Sequence, residues 1–304
     1  MSVLLEAGKQ SNKTTFQGHS LQDMVSAHYD NRTLMNLEGE IHFDRYLSID
    51  EVKVVLSSYQ KFTDHEMPEV VYAPCAGTLR HVSPLLERGV RRVIAVDLSH
   101  ESLAVGRERF CQGDTGQVQT YNTDIRDTDR FAQNHDIPLA FLMGNSLGDV
   151  TDSDGHLEFI EALGKPLKRG GVLVFDYMGE RYNPPVGEVY DTTWPDRVID
   201  GDIEFDVFDR RQRWSVPNAD GTSTLHLTCE VTSIGGELIV PKHSYDKLVV
   251  PDPILIEQFA RFGMKLHCLG PLRNYSSYHD RRIREKDDLG MMGTPDHLYV
   301  AVKE

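Results

Sequence analysis

With 304 residues, 39% of them hydrophobic and 26% charged, the chain has the make-up of an ordinary globular protein. It is long enough for one large α/β domain with a substantial insertion, or for two smaller domains. A net charge of −15 and a pI near 5.3, with no block of lysine and arginine, would repel phosphate backbones and anionic lipid, which argues against nucleic acid and membrane as partners.

No apolar run approaches the roughly 18 residues of a membrane span, and the N-terminus lacks the apolar core of a secretion signal. The four cysteines (Cys75, Cys111, Cys229, Cys268) are far apart and form no C-x-x-C pair. That spacing speaks against a disulfide framework or a structural zinc site. It favours reduced cytoplasmic thiols, mostly buried as small hydrophobes.

In chain order, residues 1–18 are polar and irregular and read as a tail. From Ser20, a fitting N-cap, the pattern turns helical, with Leu21, Met24, Val25 and Tyr29 on one face. A second helix is expected from about Ser48 to Phe62, with Ile49, Val52, Val55, Leu56 and Tyr59 on one side. Because they precede the first strand, these helices must pack on the face of the sheet or cover its ligand end.

The apolar run Val70 to Ala73 ends in a turn of small residues, followed by Val82, Leu85, Leu86 and Val90 at helical spacing. A second apolar run, from Arg92, closes on Asp97. That is strand, turn, helix, strand, the βαβ unit of a nucleotide-binding sheet. Small residues let backbone approach a ligand, and an acid about 20 residues on can accept from ribose hydroxyls, so a ligand containing adenosine is expected. Ser99-His100-Glu101-Ser102 is an imperfect capping box that opens a helix to about Phe110. Val118 to Asp124 and Ile137 to Met143 read as the third and fourth strands, the latter closed by Gly144-Asn145-Ser146-Leu147-Gly148. A helix over Gly155 to Leu167 and the turn Gly170-Gly171 lead into a fifth strand, Val172 to Tyr177. Strands alternating with helices predict a parallel, doubly wound sheet with its ligand outside the carboxyl ends of the strands.

Residues 180–201, rich in Pro, Gly and Tyr, read as a loop near the mouth of the site. Three β runs follow, Ile203 to Val216, Ser223 to Ile234 and Glu237 to Val250, joined at Asn218-Ala219-Asp220-Gly221 and Gly235-Gly236. They form an inserted antiparallel meander, expected to cover the acceptor pocket without touching the core of the sheet. Pro253 to Phe262 returns to helix and ends at Gly263, and Met264 to Leu269 and His297 to Val302 supply the last two strands. A polar, basic loop from Arg273 to Lys286 bridges them. The expected division is a tail with capping helices over 1–66, a cofactor-binding core over 67–180, the loop and meander over 181–250, and the closing helix and strands over 251–304.

Three adenosine ligands compete. ATP or GTP would call for G-x-x-x-x-G-K-[ST], which is absent, and NAD would prefer G-x-G-x-x-G, whereas the turn here carries the single glycine Gly77. That leaves S-adenosylmethionine.

Five elements then line up in order: Ala73-Pro74-Cys75-Ala76-Gly77-Thr78-Leu79-Arg80-His81, Ala95-Val96-Asp97-Leu98-Ser99, Thr123-Asp124-Ile125-Arg126-Asp127, Gly144-Asn145-Ser146 and Arg169-Gly170-Gly171. In this order and spacing the chain resembles the Rossmann-like S-adenosylmethionine-dependent methyltransferases, above all small-molecule enzymes of the glycine N-methyltransferase type. The resemblance covers about residues 68–180 closely and 250–304 by pattern. It implies an α/β fold with a seven-stranded, mostly parallel sheet, helices on both faces, N-terminal helices and the meander as a lid. Two positions depart from the family pattern. Ala73 stands where an acid usually ends the first strand, and Leu79, for which an ordinary backbone conformation is expected, replaces the last glycine of the turn.

The resemblance implies that S-adenosylmethionine is bound by Cys75, Ala76, Gly77, Thr78, Arg80, Asp97, Leu98, Asp124, Ile125, Met143, Gly144 and Asn145. Asp97 would accept from the ribose hydroxyls and Asp124 from the adenine amino group, with Ile125 against the ring. Arg80 would reach the carboxylate of the cofactor, and Gly144-Asn145-Ser146 would lie where the methyl group emerges. Tyr29 would stand over the sulfonium. Ser146, Tyr177, Arg181 and Tyr182 would face the acceptor, with His243 as a base. No metal is implied.

Methyl transfer is an in-line displacement in which the protein mainly aligns nucleophile, methyl and sulfur and excludes water. The expected partner is a small-molecule acceptor, methylated on nitrogen rather than oxygen or carbon, and a homodimer is compatible with a meander in this position. Two rival classes stand beside this one: a protein that keeps the fold and uses the cofactor as a structural or regulatory ligand, and an NAD-dependent oxidoreductase.

Overall fold

The computed structural model describes residues 29–30, 45–110, 116–131, 136–180, 183–200, 203–280 and 296–304. Helix α1 (Arg45–Phe62) precedes β1 (Val70–Pro74), α2 (Val82–Glu87), β2 (Arg92–Asp97), α3 (His100–Phe110) and β3 (Val118–Asn122). Next come β4 (Ile137–Leu142), α4 (Ser153–Gly164) and β5 (Leu167–Tyr177). The chain continues through β6 (Tyr190–Asp200), β7 (Ile203–Pro217), β8 (Ser223–Ser233) and β9 (Leu238–Val249), and closes with α5 (Asp252–Arg261), β10 (Met264–Pro271) and β11 (His297–Lys303).

The main sheet has the order β10-β11-β5-β4-β1-β2-β3. Parallel pairing joins β1 to β2 and β4, β2 to β3, and β4 to β5, while β11 runs antiparallel to both β5 and β10. The period-2 alternation of the strands sorts their side chains to two faces. Val71, Ala73, Val93, Ala95, Leu139 and Phe141 pack with Val52 and Val55 of α1, Val82 and Leu85 of α2 and Leu103 of α3. Tyr72, Ile94, Val96, Ala140 and Leu142 pack on the other side with Phe159, Ile160 and Leu163 of α4 and Leu255 and Phe259 of α5. Helices therefore cover both faces, and the strand ends at Pro74, Asp97, Asn122, Leu142 and Tyr177 share one edge.

The second sheet, β6-β7-β8-β9, is antiparallel throughout. Both expected hairpins form: Asn218 N–H donates to Thr222 O at 2.8 Å with Gly221 at φ +83°, and Ser233 N–H donates to Glu237 O at 2.8 Å with Gly236 at φ +85°.

Two expectations for the insertion fail. The segment 180–201, whose composition predicts a loop, holds the strand β6. Pro195 masks it in the sequence, but β6 is an edge strand, where proline costs no ladder bond that the sheet needs. The meander also does not stand clear of the core. Leu248 and Val250 belong to the main hydrophobic cluster, and Tyr177 O–H donates to Leu248 O while accepting from Val250 N–H, both at 2.8 Å. No helix among the described residues is long and apolar enough to cross a membrane. The expected tail and first helix lie outside the described residues except for Tyr29 and Asp30, as does Cys111. Cys229 is buried, Cys75 half-buried and Cys268 exposed, so burial of the thiols is partial.

Candidate functional site

Between β1 and α2 the chain places every second residue in the left-handed region: Cys75 at φ +50°, Gly77 at +51° and Leu79 at +57°. Only the middle one is glycine, and for the other two this conformation costs about 1–2 kcal/mol each. The ordinary backbone expected of Leu79 is therefore not what the structure has. Two contacts hold it there. Leu79 N–H donates to Ala76 O at 3.0 Å, and its side chain, 1% exposed, packs in the cluster with Leu103 on α3. Helix α3 presents Gly106 to the turn, where an added Cβ would lie 2.5 Å from Thr78 O and 2.8 Å from Leu79 Cγ. Burial of a leucine side chain, about 1.5–3 kcal/mol, exceeds the backbone strain it carries.

Asp97, at the end of β2, ties the turn in place. Its Oδ2 accepts Gly77 N–H at 2.7 Å and its Oδ1 accepts Ser99 N–H at 2.8 Å. Ser99 caps α3 as expected, its Oγ accepting Ser102 N–H at 3.0 Å. The same Ser99 hydroxyl donates to Asp30 Oδ1 at 2.6 Å, which brings the Tyr29-Asp30 segment against this corner. Burial pushes the Asp97 carboxyl up to about 6, the charges of Asp30 and Asp149 add to the rise, and the two amides oppose it.

Across the edge, the β4 loop turns through Gly144 (φ +105°) and Asn145 (φ +62°). Asp176, near the end of β5, shapes it by accepting Gly144 N–H at 2.8 Å and Asn145 N–H at 3.0 Å on one oxygen. A short 3₁₀ turn, Ser146–Asp149, follows. There Asp149 accepts Tyr29 O–H at 3.1 Å and Lys247 Nζ at 2.6 Å, and Lys247 also donates to Asn145 O at 3.2 Å. The half-buried thiol of Cys75 reports on this surrounding. Burial raises it well above the usual thiol range, the carboxylates of Asp97, Asp149 and Asp124 raise it further, and Lys247 pulls it down. Three acids, at or past the ends of β2, β3 and β4, and one lysine from β9 thus lie within electrostatic reach of the turn after β1. The acids outnumber the lysine there, and such a surrounding suits a ligand that carries positive charge.

No protein-family model and no curated protein matches this sequence. Solved structures do match its architecture. CcbJ, a methyltransferase from Streptomyces caelestis, aligns with a TM-score of 0.61 at 16% identity, covering 93% of this chain and 98% of its own. CalS10, an amino pentose methyltransferase from Micromonospora echinaspora solved with S-adenosylmethionine, aligns at 0.56 and 15% identity over 84% of this chain and 92% of its own. KedS8, a sugar N-methyltransferase from Streptoalloteichus, aligns at 0.54 and 15% over 99% and 100%. The fold is that of the S-adenosylmethionine-dependent methyltransferases. At these identities the likeness is one of fold.

Within this methyltransferase fold the expected site residues separate into two groups. Cys75, Ala76, Gly77, Asp97, Leu98, Asp124, Gly144, Asn145 and Ser146 keep exposed or half-buried positions along the shared edge. Thr78 (1% exposed), Ile125 (3%) and Met143 (7%) are buried beside it. Asp124 is bound at both oxygens by Arg126, with Nη2 at 2.6 Å from Oδ2. Burial works to raise this carboxyl and the Arg126 bonds override it, so an adenine amino group would share an acceptor already in use.

Three assignments need correction. The resemblance sends Arg80 to the carboxylate of the cofactor. Its guanidinium is instead 8% exposed and paired with the buried Glu51 of α1, which also binds His81 at 2.7 Å and His279 at 3.1 Å. Tyr177, expected at the acceptor, is fully buried with its hydroxyl spent on β9. His243, expected as a base, stands away from the pocket. Its Nδ1 is 3.3 Å from Pro241 O and its ring stacks on Tyr245, four residues and therefore about 13 Å along β9 from Lys247. Arg181 and Tyr182 lie outside the described residues.

Sequence reasoning misses Asp149, Asp176 and Lys247. Asp176 carries the same signal as Asp97, an acid closing an apolar strand. Gly148 carries another: a Cβ there would lie 3.0 Å from Leu248 O and 3.5 Å from Lys247 Cβ, a close approach between chain segments remote in sequence.

Proposed function

We propose that this protein binds S-adenosylmethionine and transfers its methyl group to a small-molecule acceptor, on nitrogen in preference to oxygen or carbon. The observation that carries the reading is the left-handed turn at Cys75–Leu79, clamped by Asp97 and within electrostatic reach of Asp124 and Asp149. The donor set fits the cofactor. The ligand brings a sulfonium, an ammonium and two ribose hydroxyls, and the site offers carboxylates and an open approach at Gly77, where a Cβ would meet none of the described atoms within 4 Å.

Asp97 would hold the ribose on the lone pairs left by Gly77 and Ser99. The backbone of Cys75 to Gly77 would approach the methionine part, and Asp124 with Leu98 would flank the adenine. When bound, S-adenosylmethionine would supply a methyl carbon on positive sulfur for the acceptor lone pair, with the carbon–sulfur electron pair left on the S-adenosylhomocysteine product. The remaining work of the protein is to orient the acceptor, exclude water and take up one proton. Asp149 would take that proton once Lys247 has left it, and the meander and Tyr29 would cover the site. The amine preference draws support from the negative pocket and from the amino-sugar and sugar N-methyltransferases of the same fold. Leu79 adopts the conformation that a glycine would, so this departure from the family pattern does not favour a purely structural use of the cofactor.

Calorimetry with S-adenosylmethionine and S-adenosylhomocysteine tests the reading. A dissociation constant near micromolar is expected, on the order of −8 kcal/mol. Asp97→Ala should weaken binding by roughly 1–3 kcal/mol, through lost ribose contacts and a loosened turn. No heat with either compound would refute the proposal.

A further inference from the structure

A lysine from the meander lies against the β4 loop in a way that a structural latch does not require. Lys247 is 7% exposed, and its ammonium is held by Asp149 Oδ1 at 2.6 Å and by Asn145 O at 3.2 Å. The strand that bears it is already fixed to the core by the two bonds of Tyr177, at Leu248 O and Val250 N, one and three residues on. A buried ion pair adds little net stability beyond such anchors. Close by, the Oδ1 of Asn145 is buried and accepts no hydrogen bond from the described residues. An amide oxygen left without a donor in a native fold calls for an explanation, and a missing ligand is one.

The remaining neighbours point the same way. The second oxygen of Asp149 accepts the phenol of Tyr29, and both Asp149 and Lys247 lie within electrostatic reach of Cys75 in the ligand turn. Carbonyl, amide oxygen, carboxylate and phenol are the partners that a protonated or neutral amine takes, since each N–H needs an acceptor.

We propose that Asn145, Asp149 and Tyr29 form a subsite for the amino group of the acceptor, and that Lys247 fills it as a built-in competitor until the acceptor displaces it. The assignment as acceptor subsite rests on the methyl-transfer reading; the ability of the subsite to hold an ammonium group does not. A lysine side chain can swing out by rotation about its own bonds while β9 stays anchored. The acceptor must then draw enough binding energy from the rest of its structure to win the exchange, which selects against small free amines.

Lys247→Ala removes the four side-chain atoms beyond Cβ, and n-propylammonium replaces them atom for atom. Titrated without cofactor, this probe should bind Lys247→Ala at least tenfold more tightly than it binds the parent protein or Lys247→Ala/Asp149→Asn. Equal affinities across the three would overturn the subsite. If Lys247→Ala does not fold, Lys247→Ser takes its place, with the same expected ranking. In a second arm Lys247→Ala receives methyl-labelled S-adenosylmethionine and n-propylamine, and label is sought in N-methylpropylamine by mass spectrometry. Labelled product supports the assignment as acceptor subsite. Cofactor heat and probe binding without labelled product would overturn that assignment alone. Absence of cofactor heat would overturn the methyl-transfer reading together with the acceptor assignment, and the first arm would still decide whether the subsite holds an ammonium group.

Discussion

The turn at Cys75–Leu79 and the end of β9 both border the proposed site, and they are held in different ways. The turn is fixed within one βαβ unit: Asp97 clamps Gly77 from 20 positions away, and α3 seats Leu79 against Gly106. The end of β9 is fixed by partners far along the chain, with Tyr177 71 positions from Leu248 and Asp149 98 positions from Lys247. The turn therefore depends on backbone shape and on small residues that allow it. The strand depends on a few buried side chains that join the insertion to the body, so it is part of the scaffold as well as a cover.

This contrast is most severely tested by replacing residues 200–250 with a short Gly-Ser linker. Loss of Leu248 and Val250 from the core, at about 1.5–3 kcal/mol each, adds to the loss of both partners of the Tyr177 hydroxyl. Together these approach the whole stability of an ordinary domain. No cooperative melt is expected, and a sharp transition within a few degrees of the parent would show that β9 is a dispensable lid. At the turn, Gly106→Ala drives a methyl group into the Thr78 carbonyl. It should cost about 1–3 kcal/mol by urea unfolding and weaken cofactor binding, because the turn must shift. Unchanged cofactor affinity would mean that the shape of the turn is not what binds.

A smaller change, Tyr177→Phe, leaves the Leu248 carbonyl and the Val250 amide without their shared partner. About 2 kcal/mol of stability should go, seen as a lower urea midpoint at constant slope, while the KM for the acceptor stays as it was. A raised KM at unchanged stability would return Tyr177 to the acceptor site.

The smallest effect concerns pH. Asp97 has a folded-state value raised from 3.8 to about 6, so in the free protein it is protonated below that pH and ionised above it. A ligand that needs the carboxylate must release this proton at low pH. Cofactor affinity should be level above about pH 7 and fall as pH drops through 6, by up to about tenfold at pH 5. In Asp97→Ala this slope should vanish, and its persistence would assign the titration to another group.

What is local in this protein can be read from the chain alone. Apolar runs mark the strands, helical spacing marks α1 and α2, and the small-residue turn with acids at strand ends marks the edge proposed to take the ligand. These signals rest on the conformations of neighbouring residues, which a sequence displays directly. Strand β6 is hidden because Pro195 is tolerated only by virtue of its place at an edge, and edge position is a property of the assembled sheet. Leu79 carries a positive φ because Gly106 and Leu103 form its seat, a fact about the packing of α3. Arg80 binds Glu51 and Tyr177 binds β9, since a buried charge or hydroxyl takes whichever partner the fold brings within reach. The same reason hides Lys247. In the chain it is one cation before an apolar run, and only the crossing of β9 over Gly148 brings it to Asp149 and Asn145.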